Sequence, residues 1–185
     1  MQVLETDRLQ LRDFVPLDWD AINMLLSDAE VTRYMHFAYW NEEKRRAWFE
    51  ECIAISQQPD PDVYNWAISL KDTGKIIGWL GIGSAGHPTM ERERDFGYVL
   101  NRHFWGQGYM TEAVRVVLAY EFEMLGTLRI FATCETANIG SARVMEKAGM
   151  HYEGTFQDTD FEGNWANRHR YALHAHEYRS RREGS

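Results

Sequence analysis

The segment NRHFWGQGYMTEA, residues 101–113, decides how the rest of the chain is interpreted. It follows a strand-like stretch and leads into the strongest helical pattern of the sequence, residues 108–125. Gly106 and Gly108 lack a Cβ, so the backbone can turn sharply there and bring its N–H groups close to an anion. The helix that follows adds a positive dipole end and unpaired amides. The segment therefore predicts a phosphate-binding loop, although a Gly-x-Gly at such a junction is also typical of a tight turn.

Two common nucleotide-binding motifs are excluded by the residues of this loop. A dinucleotide fingerprint requires a third glycine at the position that Thr111 occupies. A mononucleotide P-loop requires Gly-Lys-Ser/Thr, and that triplet does not occur in the chain. The loop therefore predicts an anion site of another kind.

Periodicity and turn residues predict the order β-α-α-β-β-β-α-β-α-β-β. The predicted strands cover 6–14, 64–70, 75–82, 91–100, 128–134, 152–160 and 167–178, and the predicted helices cover 16–27, 41–56, 108–125 and 138–148. Asn41 and Asn138 are candidate N-caps, Gly74 fits a turn, and Gly149 fits a helix stop. This order predicts an α/β protein, a mixed sheet with helices on both faces.

Length and composition predict a single domain, 1–185, with 179–185 as a frayed polar tail. Twenty basic against 28 acidic side chains give a net charge of −8, which argues against a general nucleic-acid binder. No apolar run reaches the roughly 18 residues of a membrane helix. Cys52 and Cys134 are the only cysteines, so reduced thiols in the cytoplasm are expected.

A second segment, NIGSARVMEKAGM at 138–150, completes a recognisable pair with WGQGYMTEA at 105–113. Together they resemble the GNAT superfamily of acetyl-CoA-dependent N-acetyltransferases, and more narrowly its ribosomal-protein N-terminal (alanine/serine) branch. The segments TDRLQLRDF at 6–14, DFGYVL at 95–100 and YEGTF at 152–156 also resemble that branch. The resemblance covers nearly the whole chain and is poorest over 30–65.

The resemblance implies the GNAT acyl-CoA N-acyltransferase fold, with a mixed, mostly antiparallel central sheet that splays at the cofactor site. It implies acetyl-CoA as cosubstrate, with the pantetheine between 95–100 and 128–134 and the pyrophosphate on the amides of 107–111. The implied cofactor-binding residues are Val99, Leu100, Gly106, Gln107, Gly108, Tyr109, Met110, Thr111, Asn138 and Ser141. The Val99 amide would stabilise the oxyanion. Trp105 is usual for the branch, whereas Met110 is bulkier than expected and should narrow the loop.

The acceptor amine must lose a proton before it attacks, because a free alkylamine has a pKa above about 10. Asp95 matches the acid that several superfamily members use as a base, and Glu93, on the same strand face, is the alternate. Alternatively, Asp95 and Glu93 are exposed acidic residues of a strand with no catalytic role. Histidine is a common general base, but His103 lies in the loop, which makes it a lesser candidate.

The leaving thiolate offers a second proton-transfer position. Many superfamily members carry a tyrosine where Met145 stands, and a thioether cannot donate a proton. In the resembled branch a serine at the Ser141 position lies near the cofactor sulfur, so Ser141 is the candidate proton donor. Alternatively, Ser141 is only a polar residue in the first turn of the helix. Asn138 matches the asparagine that contacts the cofactor arm, and it can also cap the helix.

No metal site is predicted. Of His169, His174 and His176, only the last two would share a strand face, and no third ligand has a suitable spacing. Trp165, Phe161 and Tyr39 are candidates for the wall of an acceptor site, although most aromatic residues belong to cores.

The sequence therefore predicts an N-acetyltransferase that transfers acetyl to a primary amine by direct attack in a ternary complex. The acceptor is a protein or peptide N-terminus or a small amine such as a polyamine or an amino sugar. No nucleic acid or membrane partner is expected, and the protein is a monomer or homodimer. The alternative from another class is a non-catalytic acyl-CoA-binding module: Met145 speaks for it, and Asp95 and Ser141 speak against it.

Overall fold

The computed structural model describes residues 2–59, 61–84, 92–159 and 163–183. The chain divides into two compact units. The first consists of Met1–Ile82 and Gly97–Ala113, and the second of Gly83–Phe96 and Val114–Ser185. A single domain over 1–185 stays a prediction.

The first unit begins with a short hairpin, β1 (Leu4–Glu5) and β2 (Leu9–Arg12), in place of the single strand predicted over 6–14. The Leu9 amide donates to the Thr6 hydroxyl over 2.8 Å, and the Thr6 amide donates to the Leu9 carbonyl over 3.0 Å. These two bonds close a turn where the predicted strand would start, because a threonine hydroxyl competes for backbone donors.

The strands that follow agree with the predictions to within one or two residues at most ends. They are β3 (Val63–Leu70), β4 (Ile76–Ser84) and β5 (Glu93–Leu100), and residue 91, where β5 was predicted to begin, lies outside the described residues. Gly74 turns the chain between β3 and β4 at φ +67°, as expected for a position that favours glycine.

The first unit also holds α1 (Trp19–Ser27), the unpredicted short α2 (Ala29–Thr32) and α3 (Glu42–Ser56). Asn41 caps α3 as predicted, because its side chain accepts the Lys44 amide over 2.9 Å. The buried faces of α1 and α3 meet in an aromatic core, in which the rings of Phe14 and Phe49 are 5.3 Å apart.

The remaining elements are α4 (Tyr109–Tyr120), a π-helical turn (Glu121–Leu125), β6 (Arg129–Glu135), α5 (Ile139–Lys147), β7 (His151–Thr159), β8 (Trp165–His174) and α6 (Ala175–Glu183). The last of these corrects a prediction. The strand expected over 167–178 ends at His174, because the Glu177 carboxylate accepts the His174 amide over 2.9 Å and starts a helix there. Residues 179–183 are therefore helical and not frayed, and Arg181 donates to the Gly149 carbonyl over 2.7 Å.

The eight strands form a mixed, mostly antiparallel sheet, so the predicted α/β architecture is confirmed. In the second unit β5 pairs with β6 in parallel, with a register that runs from Glu93 opposite Arg129 to Asp95 opposite Phe131. Strand β8 then pairs antiparallel with both β6 and β7. Among the described residues, no helix has the length and apolar character needed to cross a membrane.

Candidate functional site

The glycine loop of the first unit has the conformation that the sequence predicts. Gly106 and Gly108 adopt φ values of +74° and +83°, which other residues rarely take, and α4 begins directly afterwards. A Cβ would meet nothing within 4 Å at Gly106 and only an Arg8 side-chain nitrogen, at 3.6 Å, at Gly108. Conformation rather than crowding therefore requires glycine here.

The start of α4 leaves donors available behind this loop. The first backbone hydrogen bond of α4 joins the Glu112 amide to the Gly108 carbonyl over 3.0 Å. The amides of 109–111 come before it and therefore have no backbone acceptor within the helix. Unpaired amides at the positive end of a helix dipole suit an anionic group such as a pyrophosphate. The loop and the helix start thus fit the phosphate arm of an acyl-CoA.

Arg8 holds this loop, a role that the sequence analysis did not predict. Its Nη1 donates to the Gln107 carbonyl over 3.1 Å, and its guanidinium lies 4.2 Å from the centroid of the Tyr109 ring. Its Nε donates to the Glu112 carboxylate over 2.7 Å. The only signal in the sequence was the motif at 6–14, which contains Arg8 but was interpreted as part of a strand.

Two other predicted residues of the loop region lie in or against the core. Met110 is buried, because the first turn of α4 directs this side chain inward. That its bulk narrows the loop stays a prediction. Trp105 is half-exposed, and its indole N–H donates to the Leu100 carbonyl over 2.7 Å. This bond ties the loop to the end of β5.

Val99 and Leu100, predicted near the thioester, are buried at the end of β5. Backbones approach closely here, since a Cβ placed on Gly78 of β4 would lie 2.6 Å from the Val99 carbonyl oxygen. Gly78 therefore has a steric reason to be glycine, and a larger residue would displace the strand end that carries Val99.

In the second unit, β5 presents the two predicted bases in different states. Glu93 forms a 2.8 Å ion pair with Arg129, which also binds Glu153 over 2.6 Å. Asp95 is a solvent-accessible residue of this strand and forms no ion pair with another described residue. Partial burial by its surroundings raises the pKa of Asp95, and a hydrogen bond from its own backbone offsets this only in part. Asp95 is therefore the better placed proton acceptor.

Asn138 and Ser141 lie at the start of α5. Asn138 caps the helix by accepting the Ser141 amide over 3.1 Å, so its structural reading is confirmed. Burial raises the pKa of the Cys134 thiol of β6, and the neighbouring Ser141 hydroxyl lowers it again in part. Met145 is fully buried in the same helix and serves the core.

The remaining candidates are not brought together. His103 is exposed in a single 3₁₀ turn, and its amide donates to the Asn101 side chain. His174 ends β8 and His176 lies in α6, so the prediction that they share a strand face is wrong. No group of three metal-ligating side chains occurs within the described ranges.

The predicted aromatic wall of an acceptor site is likewise not assembled within one unit. Tyr39 is exposed in the first unit, Trp165 is exposed in the second, and Phe161 lies outside the described residues.

Comparison with known proteins supports the same interpretation. The chain is 31% identical over 172 residues to the uncharacterised N-acetyltransferase YnaD of Bacillus subtilis, covering 92% of this chain and 95% of that protein. It is similar to the crystal structure of a GNAT-family acetyltransferase from Bacillus anthracis, with a TM-score of 0.84 and 28% identity over 95% of this chain and 100% of that one.

Two more distant structures share the fold. One is spermidine N-acetyltransferase from Vibrio cholerae in complex with CoA and spermine, with a TM-score of 0.77 at 17% identity over 94% of this chain and 99% of that one. The other is RimL, the ribosomal L7/L12 α-N-protein acetyltransferase, in complex with CoA, with a TM-score of 0.78 at 18% identity over 94% and 98%. The acetyltransferase (GNAT) domain family matches residues 8–151, most of the chain. The chain therefore belongs to the GNAT acetyltransferase family.

Proposed function

We propose that this protein transfers the acetyl group of acetyl-CoA to a primary amine by direct attack in a ternary complex. The observation that carries the catalytic part is the contrast on β5: Glu93 is neutralised by Arg129, whereas Asp95 has a raised pKa and no ion pair with another described residue. A carboxylate without an ion pair, whose charged form is destabilised by burial, is a suitable acceptor for a proton from an ammonium group. CoA-bound relatives of the same fold support acetyl-CoA as the cosubstrate.

In the proposed reaction, different residues bind the cofactor, stabilise the thioester oxygen and accept the proton of the amine. The amides at 107–111 bind the pyrophosphate, with Arg8 holding the loop, and the Val99 amide donates to the thioester oxygen. Asp95 accepts a proton from the ammonium group of the acceptor. The neutral amine nitrogen then bonds to the carbonyl carbon, the carbon–sulfur bond breaks, and the sulfur leaves as a thiolate. The new amide nitrogen gives up its second proton, which passes to the thiolate and leaves free CoA thiol.

Ser141 is the proposed donor to that thiolate, although a free thiol is itself a good leaving group near neutral pH. Ser141 lies in the first turn of α5, next to the Cys134 thiol. Cys134 and Cys52 are free and buried, which supports a reducing compartment, and we propose the cytoplasm. A monomer or homodimer remains our prediction for the assembly.

The second candidate is a binding module that keeps the glycine loop but has lost catalysis. It is favoured by Met145, whose thioether cannot donate a proton at the position where the resemblance to the superfamily implies a tyrosine in many members. The two functions are separated by measuring thiol release from acetyl-CoA across a panel of amines, beside calorimetric binding of CoA. Release with at least one amine supports the transferase; binding without release from any amine supports the module.

A further inference from the structure

One face of the sheet in the second unit brings two arginines and two phenylalanines to the same side as Asp95. We define the arginine face as the side of β5, β6, β7 and β8 that presents Asp95, Phe131, Phe156, Arg168 and Arg170. The strand registers place these residues together: Asp95 is opposite Phe131, Thr133 is opposite Arg170, and Phe156 is opposite Arg168. Directly paired residues on neighbouring strands point to the same side of a sheet.

The two arginines of this face are only partly compensated by the protein. The Nε atoms of both Arg168 and Arg170 are buried and have no hydrogen-bond partner among the described residues. Arg168 donates to the Thr133 hydroxyl over 3.3 Å, and Arg170 forms no ion pair within the described part of the chain. A half-buried guanidinium without an acidic partner is costly, since its charge has lost water without gaining a counter-charge.

Aromatic rings hold Arg170 without neutralising it. Its guanidinium carbon lies 4.8 Å from the centroid of Phe156 and 5.4 Å from that of Phe131. Such cation–π contacts attract the guanidinium to the rings, but a ring face does not neutralise its charge as a carboxylate would. The terminal N–H groups are therefore left to donate to a planar anion such as a carboxylate.

The acidic side chains of the arginine face do not neutralise the positive charge of Arg170. Glu93 and Glu153 are both paired with Arg129. Glu135 is opposite Arg168 in the register, yet no ion pair joins them among the described residues. Asp158, towards the end of β7, accepts the Thr159 amide. Arg170 is therefore the cation of this face with the least compensation.

We infer that the acceptor is an anionic amine, a primary amine that also carries a carboxylate or phosphate, with the anion bound by Arg170 and assisted by Arg168. This inference rests on the proposed function and names the substrate class for the same site. Arg170 is two strands from Asp95, which corresponds to about 10 Å across the sheet, with Phe131 between them. An amine at Asp95 and an anion at Arg170 are thus separated by several bonds, and a polyamine meets like charge at the arginines.

The test compares three acceptors with a terminal primary amine and different groups at the far end: aminohexanoate, aminohexanamide and diaminohexane. Diaminohexane has two equivalent amines, so its rate is compared per amine. With the wild-type protein, kcat/KM for the carboxylate should exceed that for the amide by roughly ten-fold or more, and the diamine should be poorest. A second arm uses a short peptide with aspartate near its free N-terminus and its asparagine counterpart. Preference in the first arm alone indicates a small molecule, and in the second alone a peptide.

Variants of Arg170 test whether the arginine face causes the preference for a carboxylate-bearing acceptor. Arg170→Met keeps the apolar stem and should abolish the carboxylate preference while kcat/KM for the amide changes little, and Arg170→Lys should restore part of it. Arg179→Met makes the same chemical change on an exposed residue of α6 and should keep the preference. Equal rates for the three acceptors, or a faster diamine, would overturn this inference and leave the transferase intact. No thiol release from any amine would overturn both.

Discussion

Arg8 and Glu112 are 104 positions apart in the chain, yet their side chains meet with the Arg8 Nε 2.7 Å from one carboxylate oxygen of Glu112. The other oxygen accepts the Arg8 amide over 3.1 Å and the Thr6 hydroxyl. Glu112 lies in the first turn of α4, where a negative charge is favourable to the helix dipole. The β1–β2 turn is thereby fixed to the helix that follows the glycine loop.

This contact predicts a specific loss of stability in acid. Burial alone would raise the pKa of Glu112, but the bonds from Thr6 and Arg8 outweigh it and hold the pKa below its ordinary value. A lowered folded-state pKa gives stabilisation that is present above the unfolded-state pKa and is lost as the pH falls through the folded-state pKa. Glu112→Gln should therefore melt below wild type at neutral pH and converge with it in acid. Thermal melts across this pH range check the prediction; a constant gap would contradict it.

The glycine loop predicts a selective loss of CoA affinity. Gly108→Val places a β-branched residue at φ +83° and adds bulk beside the amides of α4, so CoA binding should weaken by about ten-fold or more. Gly74→Val is the matched control, since Gly74 has φ +67° and open space but lies in the β3–β4 turn. Calorimetry should show weaker binding only for Gly108→Val. Equal affinity in a folded Gly108→Val protein argues against the pyrophosphate assignment.

The contrast between the two acids of β5 predicts a pH signature. Asp95→Asn should lower turnover by ~10² at neutral pH with little change in acetyl-CoA affinity. The deficit should shrink at high pH, where the amine arrives neutral. In the wild-type protein the rate should fall as acid protonates Asp95, at a pH above that of an ordinary aspartate because its pKa is raised. Glu93→Gln should have the smaller effect, because Arg129 holds Glu93. The reverse ranking would transfer the role to Glu93.

Ser141 predicts a moderate effect on turnover alone. Ser141→Ala should lower kcat by about ten-fold and leave the KM of the acceptor nearly unchanged, because the bond to the leaving sulfur forms mainly in the transition state. Asn138 still caps α5, so the free energy of unfolding should change by less than ~1 kcal/mol. Wild-type turnover in Ser141→Ala would mean that the thiolate leaves unaided.

Features that depend on neighbouring residues could be predicted from the sequence. The caps at Asn41 and Asn138 and the glycine conformations at 106 and 108 are local, since the residue itself sets the backbone or satisfies a nearby donor. These positions define the ends of three helices and the loop, which is why most elements agree with expectation.

Features that depend on residues distant in the sequence could not be predicted from the sequence. Strand alternation in 167–178 continues past His174, and only the bond from its amide to Glu177 shows where α6 begins. Arg8 resembles any strand arginine until Glu112 is brought to it. Glu93 and Asp95 share one strand face, and Arg129 on β6 alone distinguishes them. In each case a contact made by folding decides the role of the residue.

The central claim is direct transfer from acetyl-CoA to an amine, and an initial-rate matrix tests it most directly. Thiol release is measured while acetyl-CoA and a carboxylate-bearing amine are varied against each other. A ternary complex predicts double-reciprocal lines that intersect, with no thiol released when the amine is omitted. Parallel lines with a burst of thiol from acetyl-CoA alone would indicate a covalent acetyl-enzyme and would contradict the account.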